Sequence, residues 1–465
     1  MRVAAFATGT LASVVAAAAL LRHLPIADLG NYALVLSLVA IIAGFSDLGL
    51  TAVGVRDAAV ARERDRSRLL RELLGLRLTL SIAGLAVLAI VVAVLYTRTI
   101  LYGVAIAGVA LLFQVAQDNY SILLQVHLRF RWVAAMELAR QVLAAALILL
   151  AAAAGAHLLV FVSVQVAVAV PLAVAAGALV RSERSLLPAF HLGSWRPLVA
   201  RILPFSAAVA AAALYFQIAL ILVSLIASAH ELGLFGASLR IIQVLSVVPA
   251  LLVGAAFPIF AHAATNDHER LGYALGRVFE VCLIVGAWVA VSIAVGAPLV
   301  MSLIGGTKYA PAASILAIQG FALGATFVSV VWSYGLLALG LHRAILIVTA
   351  SVLVGSTVLI SLLVAVDGAH GAAIGTVVSE SCAALGAAVM LVRRRPQLRP
   401  PLGVAPRVAA AALLGCVPLL LTGLPVIVRL VMSTALYASV ILATGAVPDE
   451  LRSHVPGFPA RRREP

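Results

Sequence analysis

Apolar stretches of about twenty residues succeed one another from Val3 to Ala446, and nothing else in the sequence constrains the fold as strongly. Hydrocarbon offers no hydrogen-bonding partners, so a chain that crosses it repeatedly closes its backbone bonds inside helices. Breaks at charges and at Gly/Pro clusters divide the chain into fourteen expected spans. Their limits are 3–21, 31–53, 74–95, 100–125, 134–154, 158–180, 203–227, 236–261, 278–303, 314–340, 344–366, 371–392, 408–424 and 426–446. The chain is 64% hydrophobic and 11% charged, a balance foreign to water-soluble domains. The expectation is an all-α integral membrane protein. Met1-Arg2 before an apolar run mimics a signal peptide, but no polar mature domain follows, so a retained first span is expected.

A net charge of +14 invites a nucleic-acid partner, yet the basic residues gather between spans, where they set orientation. With the N-terminus inside, Arg2 and the segments 54–77, 127–140, 181–201, 262–277, 341–344, 393–407 and 447–465 share one side and hold 27 of the 32 basic residues. Arg22, Arg98 and Lys308 fall outside, and Arg240 and Arg429 lie within spans. Both termini are therefore expected in the cytoplasm, with no nucleic-acid partner. Segment 62–72 has the pattern of an amphipathic or solvated helical turn on that side. Cys282, Cys382 and Cys416 all sit in apolar runs without metal-ligand spacing, so neither a disulfide nor a metal site is expected.

Two echoes point to an internal repeat. Asp28-Leu29-Gly30-Asn31-Tyr32 returns as Glu231-Leu232-Gly233-Leu234-Phe235, 203 positions on. Gly155-Ala156-His157 before the sixth span returns as Gly368-Ala369-His370 before the twelfth, 213 positions on. Six spans preserve orientation, so the copies are expected as parallel repeats about the membrane normal. The expected organisation is a six-helix lobe over 1–180, a cytoplasmic linker over 181–202, a second six-helix lobe over 203–392, two extra helices over 393–446 and a cytoplasmic tail over 447–465.

Polar residues inside spans are the candidates for function. Gln114, Gln117, Asp118, Ser121 and Gln125 share one helical face of the fourth span, while Asn119 lies off it. That stripe either walls a hydrophilic path or bonds neighbouring helices. Arg240, with Gln243 one turn deeper, is expected to face a cavity, the rival being an arginine snorkelling to the headgroups. Arg429, near the outer end of the last span, is expected to snorkel. Pro249 and Pro258 invite kinks in the Arg240 helix. Tyr215 and Gln217 either line the same cavity or pack between helices. Glu380 is either a buried, hydrogen-bonded acid or an ion-coupling carboxylate. Asp47 is placed to cap the chain that follows or to pair with its arginines. No GxxxxGK[ST] or HExxH occurs, and no extramembrane segment is large enough for a glycosyltransferase site, so no enzyme and no cofactor are expected.

The run Arg22-His23-Leu24-Pro25-Ile26-Ala27-Asp28-Leu29-Gly30-Asn31-Tyr32, followed by Ser46-Asp47-Leu48-Gly49-Leu50, resembles the opening of bacterial polysaccharide-biosynthesis flippases. Those proteins belong to the multidrug/oligosaccharidyl-lipid/polysaccharide exporter superfamily. Glu231 to Phe235 with Ala237, Arg240 and Pro258 is similar to that family's eighth span, and His370 to Ile374 through Ser379-Glu380 to its twelfth. The lipid II flippase branch carries arginines deep in its first lobe, whereas span 3–21 here has Arg2 and Arg22 only at its ends. The drug-exporting branch has a carboxylate in the first or seventh span; 3–21 and 203–227 contain none.

The resemblance implies two lobes around a central cavity in the bacterial inner membrane. It implies translocation of an undecaprenyl-pyrophosphate-linked oligosaccharide, an O-antigen, capsule or exopolysaccharide repeat unit. Arg240 would then hold the pyrophosphate, and Gln114, Gln117, Asp118, Tyr215, Gln217 and Gln243 the sugars. Partners would be the polyprenyl-linked glycan, membrane lipids, a polysaccharide polymerase and glycosyltransferases. The alternatives are a cation-coupled small-molecule exporter, with Asp118 or Glu380 as coupling acid, and a lipid II flippase.

Overall fold

The computed structural model describes residues 2–181, 187–190, 192–421 and 423–446. The expected tail 447–465 and residues 182–186 and 191 of the expected linker lie outside the described residues. All regular structure among the described residues is helical. Among the described residues, twelve helices are long and apolar enough to cross a membrane. One of them, His342–Arg394, is broken by non-helical backbone at Asp367 and Gly368, which makes two spans of one. With Arg2–His23, the helices match the fourteen expected spans. The chain divides into two compact units, Met1–Ala237 and Ser238–Pro465.

In the first unit α1 (Arg2–His23) packs on α6 (Phe130–Ala153), and α5 (Arg98–Val126) packs on α7 (Leu158–Leu179). α2 (Ile26–Asp47) lies against α4 (Glu63–Leu95), α5 and α8 (Leu192–Ile226). The α2–α8 contact is close because a Cβ at Gly44 would collide with the Ala213 methyl.

The second expected span, 31–53, is corrected here. α2 stops at Asp47, the chain turns through Leu48 (φ 44°) and Gly49 (φ 75°), and a separate short helix, α3 (Leu50–Val60), follows. Left-handed φ cannot continue an α-helix. Asp47 holds the turn: Gly49 N donates to its Oδ2 at 3.2 Å, and both the backbone N and the hydroxyl of Thr51 donate to its Oδ1. Ser206 Oγ of α8 donates to the Leu48 carbonyl at 2.8 Å. Segment 62–72 forms the first turns of α4, where Arg66 donates to the Ala58 and Ala61 carbonyls that end α3. Leu50, Leu70, Leu73, Ile122 and Trp195 form a buried apolar cluster at this end of the unit.

The two copies of the Leu-Gly echo pack against each other. Gly30 of α2 meets Leu232 and Gly233 of α9 (Ala229–Leu245), and a Cβ at Gly30 would lie 2.7 Å from Gly233 N. A Cβ at Gly233 would collide with the Ile26 carbonyl. Such small-residue crossings let two membrane helices approach backbone to backbone. The second echo has its own reason: Gly155 (φ 68°) and Gly368 (φ 50°) both take left-handed conformations where one span turns into the next.

α9 ends at Leu245, and α10 (Val247–Asn266) starts beyond Ser246. Pro249 accounts for the break, since it has no N–H for the Leu245 carbonyl and its ring crowds that group. Pro258 sits inside α10 without ending it. The second unit is built on α11 (His268–Gly305), α12 (Ala312–Ala338) and the two halves of α13 (His342–Arg394). Gly286, Ala290, Gly320 and Gly324 bring α11 and α12 together, the Cβ sites of Gly286 and Gly324 lying about 3 Å from backbone oxygens of the other helix. α14 (Ala405–Cys416) and α15 (Val426–Ala443) pair through Ser433 Oγ, which donates to the Gly415 carbonyl at 2.7 Å. Tyr437 fixes that pair to α11 by donating to the Ile284 carbonyl at 2.7 Å.

Candidate functional site

The polar stripe of α5 lines a cavity of about 480 Å³ in the first unit, walled also by α2, α4 and α6. Gln114, Gln117, Asp118, Ser121 and Gln125 all face it. From the other helices come Asp47, Thr51, Arg77, Glu137 and Arg140. Leu111, Val115, Val133 and Met136 supply apolar wall, and among the described residues no aromatic ring lines the cavity.

Two ion pairs cross it. Arg77 of α4, only 3% exposed, places Nη2 3.1 Å from Asp47 Oδ1 at the end of α2. Its Nε and Nη1 are buried with no acceptor among the described residues. Arg140 of α6 donates from Nη2 to Gln117 Oε1 at 3.2 Å and lies 3.9 Å from Asp118 Oδ1. Its Nε is 3.7 Å from Glu137 Oε2, one turn back on α6, and Glu137 in turn accepts from Gln141 at 3.0 Å. Asp47 thus both caps α3 and pairs with an arginine. The α5 stripe likewise does two things at once: Gln117 bonds a neighbouring helix while the row as a whole faces open space. Asn119, off the stripe, is buried and donates to the Leu70 carbonyl of α4 at 3.1 Å.

Arg77 and Arg140 correct the sequence reading, which counted them in the cytoplasmic segments 54–77 and 127–140. Both stand within helices and wall the cavity. The signal was present, because each also falls inside an expected span, 74–95 or 134–154. An arginine within a span is expensive unless paired, and here both are paired.

The other candidates lie elsewhere. Tyr215 and Gln217 belong to α8 of the same unit and do not line this cavity; the Tyr215 ring meets Phe216 at 5.9 Å, and Gln217 Oε1 is buried without a protein donor. Arg240 and Gln243 are on the part of α9 that belongs to the second unit. Arg240 is half-buried and makes no hydrogen bond or ion pair with any described residue, while Gln243 is exposed. Glu380, on the second half of α13, is buried and accepts from Thr326 Oγ1 of α12 at 3.1 Å. Among the described residues no group of His, Cys, Asp and Glu has the arrangement of a metal site.

Charged residues paired around a cavity inside a many-span helical bundle mark a candidate functional site. The fold agrees with solved structures of a flippase and of transporters. The chain is similar to the lipid II flippase MurJ in an inward closed conformation, at 11% identity and a TM-score of 0.79, over 95% of this chain and 98% of that one. It is similar to an inward-facing multidrug resistance MATE family transporter of the MOP superfamily, at 16% identity and a TM-score of 0.66, over 84% and 95% of the two chains. A MOP superfamily transporter from Pyrococcus furiosus matches at 15% identity and a TM-score of 0.58, over 85% and 96%. No curated protein sequence matches. Residues 3–264, more than half of the chain, match the model of the polysaccharide biosynthesis protein family, and the protein belongs to that family.

Proposed function

We propose that the protein moves a polyprenyl-pyrophosphate-linked oligosaccharide from the inner to the outer leaflet of a bacterial inner membrane by alternating access, with no covalent bond changed. One observation carries the reading: within a membrane-spanning unit of a polysaccharide-biosynthesis family member, three amides, two hydroxyls and two ion pairs surround a cavity large enough for sugar rings. Amides, hydroxyls and paired charges offer donors and acceptors together, which is what a ring of hydroxyls needs. Gln114, Gln117 and Asp118 would bond glycan hydroxyls. Tyr215, Gln217 and Gln243 are proposed as further contacts along the path. Arg240, charged and without a protein partner among the described residues, would hold the pyrophosphate. Glycosyltransferases that build the glycan and a polymerase that uses it would be its partners.

The test is transport of a lipid-linked glycan by Arg240 variants in vesicles. Arg240→Lys keeps the charge and loses the planar fork, so it retains partial transport. Arg240→Ala loses nearly all of it at unchanged levels of folded protein. Full transport by Arg240→Ala would end the role assigned to this residue. A second reading, a cation-coupled exporter of small molecules, is favoured by Asp118 in the cavity and Glu380 in the second unit. It requires transport of a lipophilic cation that dissipates with the ion gradient.

A further inference from the structure

We infer that the α5 cavity takes an uncharged, hydroxyl-rich part of the glycan and rejects sugars that carry a carboxylate. This rests on the flippase reading and adds the chemical class of the sugar. Among the described residues, three carboxylates, Asp47, Asp118 and Glu137, face two guanidiniums, Arg77 and Arg140, so the described wall carries one excess negative charge.

The pairing shows where that excess sits. Asp47 is neutralised by Arg77 at 3.1 Å and bonded to Thr51 and Gly49. Arg140 is shared by Asp118, Glu137 and Gln117, and it stands 3.9 Å and 3.7 Å from the two carboxylates, longer than a good charge-assisted bond. Asp118 and Glu137 thus share one close guanidinium, and Arg77, paired with Asp47, adds only a longer-range attraction on Asp118. Both arginines already have a carboxylate neighbour, so an incoming anion competes with Asp47 for Arg77 and with Asp118 and Glu137 for Arg140. A uronate would add a like charge beside Asp118 in a site walled on one side by Leu111, Val115, Val133 and Met136, where screening by solvent is reduced.

A neutral sugar meets no such penalty. Its hydroxyls donate to Asp118 and accept from Gln114 and Gln125. At the far wall, Arg77 keeps two donors with no acceptor among the described residues, a local surplus of donors that hydroxyl oxygens satisfy and that Asp47 alone does not. With no aromatic ring among the described wall residues, selectivity comes from hydrogen bonding and charge and not from stacking on a sugar face.

The experiment compares two soluble trisaccharides, one of neutral hexoses and one with a terminal hexuronate, binding to the purified full-length protein in nanodiscs. The neutral one should bind at least about tenfold more tightly, a modest demand given what like charges cost when brought together. Asp118→Asn, an isosteric change, should narrow the gap. So should Glu137→Gln, at a position exposed enough to leave folding intact. Equal or tighter binding of the uronate, a gap that neither variant narrows, or no binding of either sugar would overturn the inference. The lipid-linked forms of both glycans are then assayed for movement across vesicles. Charge-selective binding without movement would defeat the flippase reading and leave the inference standing.

Discussion

At the scale of single residues, the Asp47–Arg77 pair is asymmetric, and the asymmetry is measurable. Arg77 is 3% exposed and Asp47 is 31% exposed. Asp47→Ala strips a buried guanidinium of the carboxylate 3.1 Å away and removes the cap of α3, so it should cost about 3–5 kcal/mol, the range for breaking a buried pair. Arg77→Met leaves a carboxylate that is a third exposed and still accepts from Gly49 and Thr51, so its cost should be clearly smaller. Thermal melting of the two purified variants would show it; equal losses would mean that the cap and the exposure of Asp47 contribute nothing. Side-chain roles of this kind were partly legible. The spacing of Gln114, Gln117, Asp118, Ser121 and Gln125 gave one face of one helix because helical periodicity is local. That the face opens on Arg77 and Arg140 was not legible, since it depends on how α4 and α6 are rotated against α5.

At the scale of elements, glycine does two different things in the two echoes. At Gly233 the need is space: any Cβ meets the Ile26 carbonyl, and a backbone cannot step aside. At Gly155 the need is conformation: φ is 68° and no atom lies within 4 Å of the Cβ position. Gly233→Ala is therefore expected to cut the yield of folded protein sharply. Gly155→Ala should cost only the left-handed penalty of about 1 kcal/mol, seen as a small fall in melting temperature. The reverse order would remove the packing explanation for the Leu-Gly motif. The break between α9 and α10 was readable in advance from Pro249. The end of α2 at Asp47 was not, because Leu48 is an ordinary helix former, and the turn is held by Asp47, Thr51 and a hydroxyl from Ser206, 158 positions away.

At the scale of the whole molecule, the arginine asymmetry predicts orientation. A reporter active only outside the cytoplasm should be active when fused after Lys308 and silent when fused after Pro465. The opposite pattern would overturn the fourteen-span topology. Moving Arg77 and Arg140 into the cavity weakens the asymmetry only slightly, because the segments around them keep Arg56 to Arg71 and Arg129 and Arg131.

The sequence by itself determined that this chain is a bundle of membrane helices, roughly where each begins and ends, and which family it belongs to. These follow from local facts: twenty apolar residues must be helical in lipid, Pro249 and glycines such as Gly155 and Gly368 mark breaks between helices, and Asp28 to Tyr32 or His370 to Glu380 are contiguous motifs. Tertiary structure alone decided what faces what. Arg77 is chemically identical to Arg71, six positions earlier on the same helix, yet Arg77 is buried against Asp47 while Arg71 reaches out to the Leu187 carbonyl. Which of the two belongs to the cavity is set by the packing of α2, α3 and α5 around α4. Such contacts join residues from dozens to more than a hundred positions apart, and no local pattern encodes them.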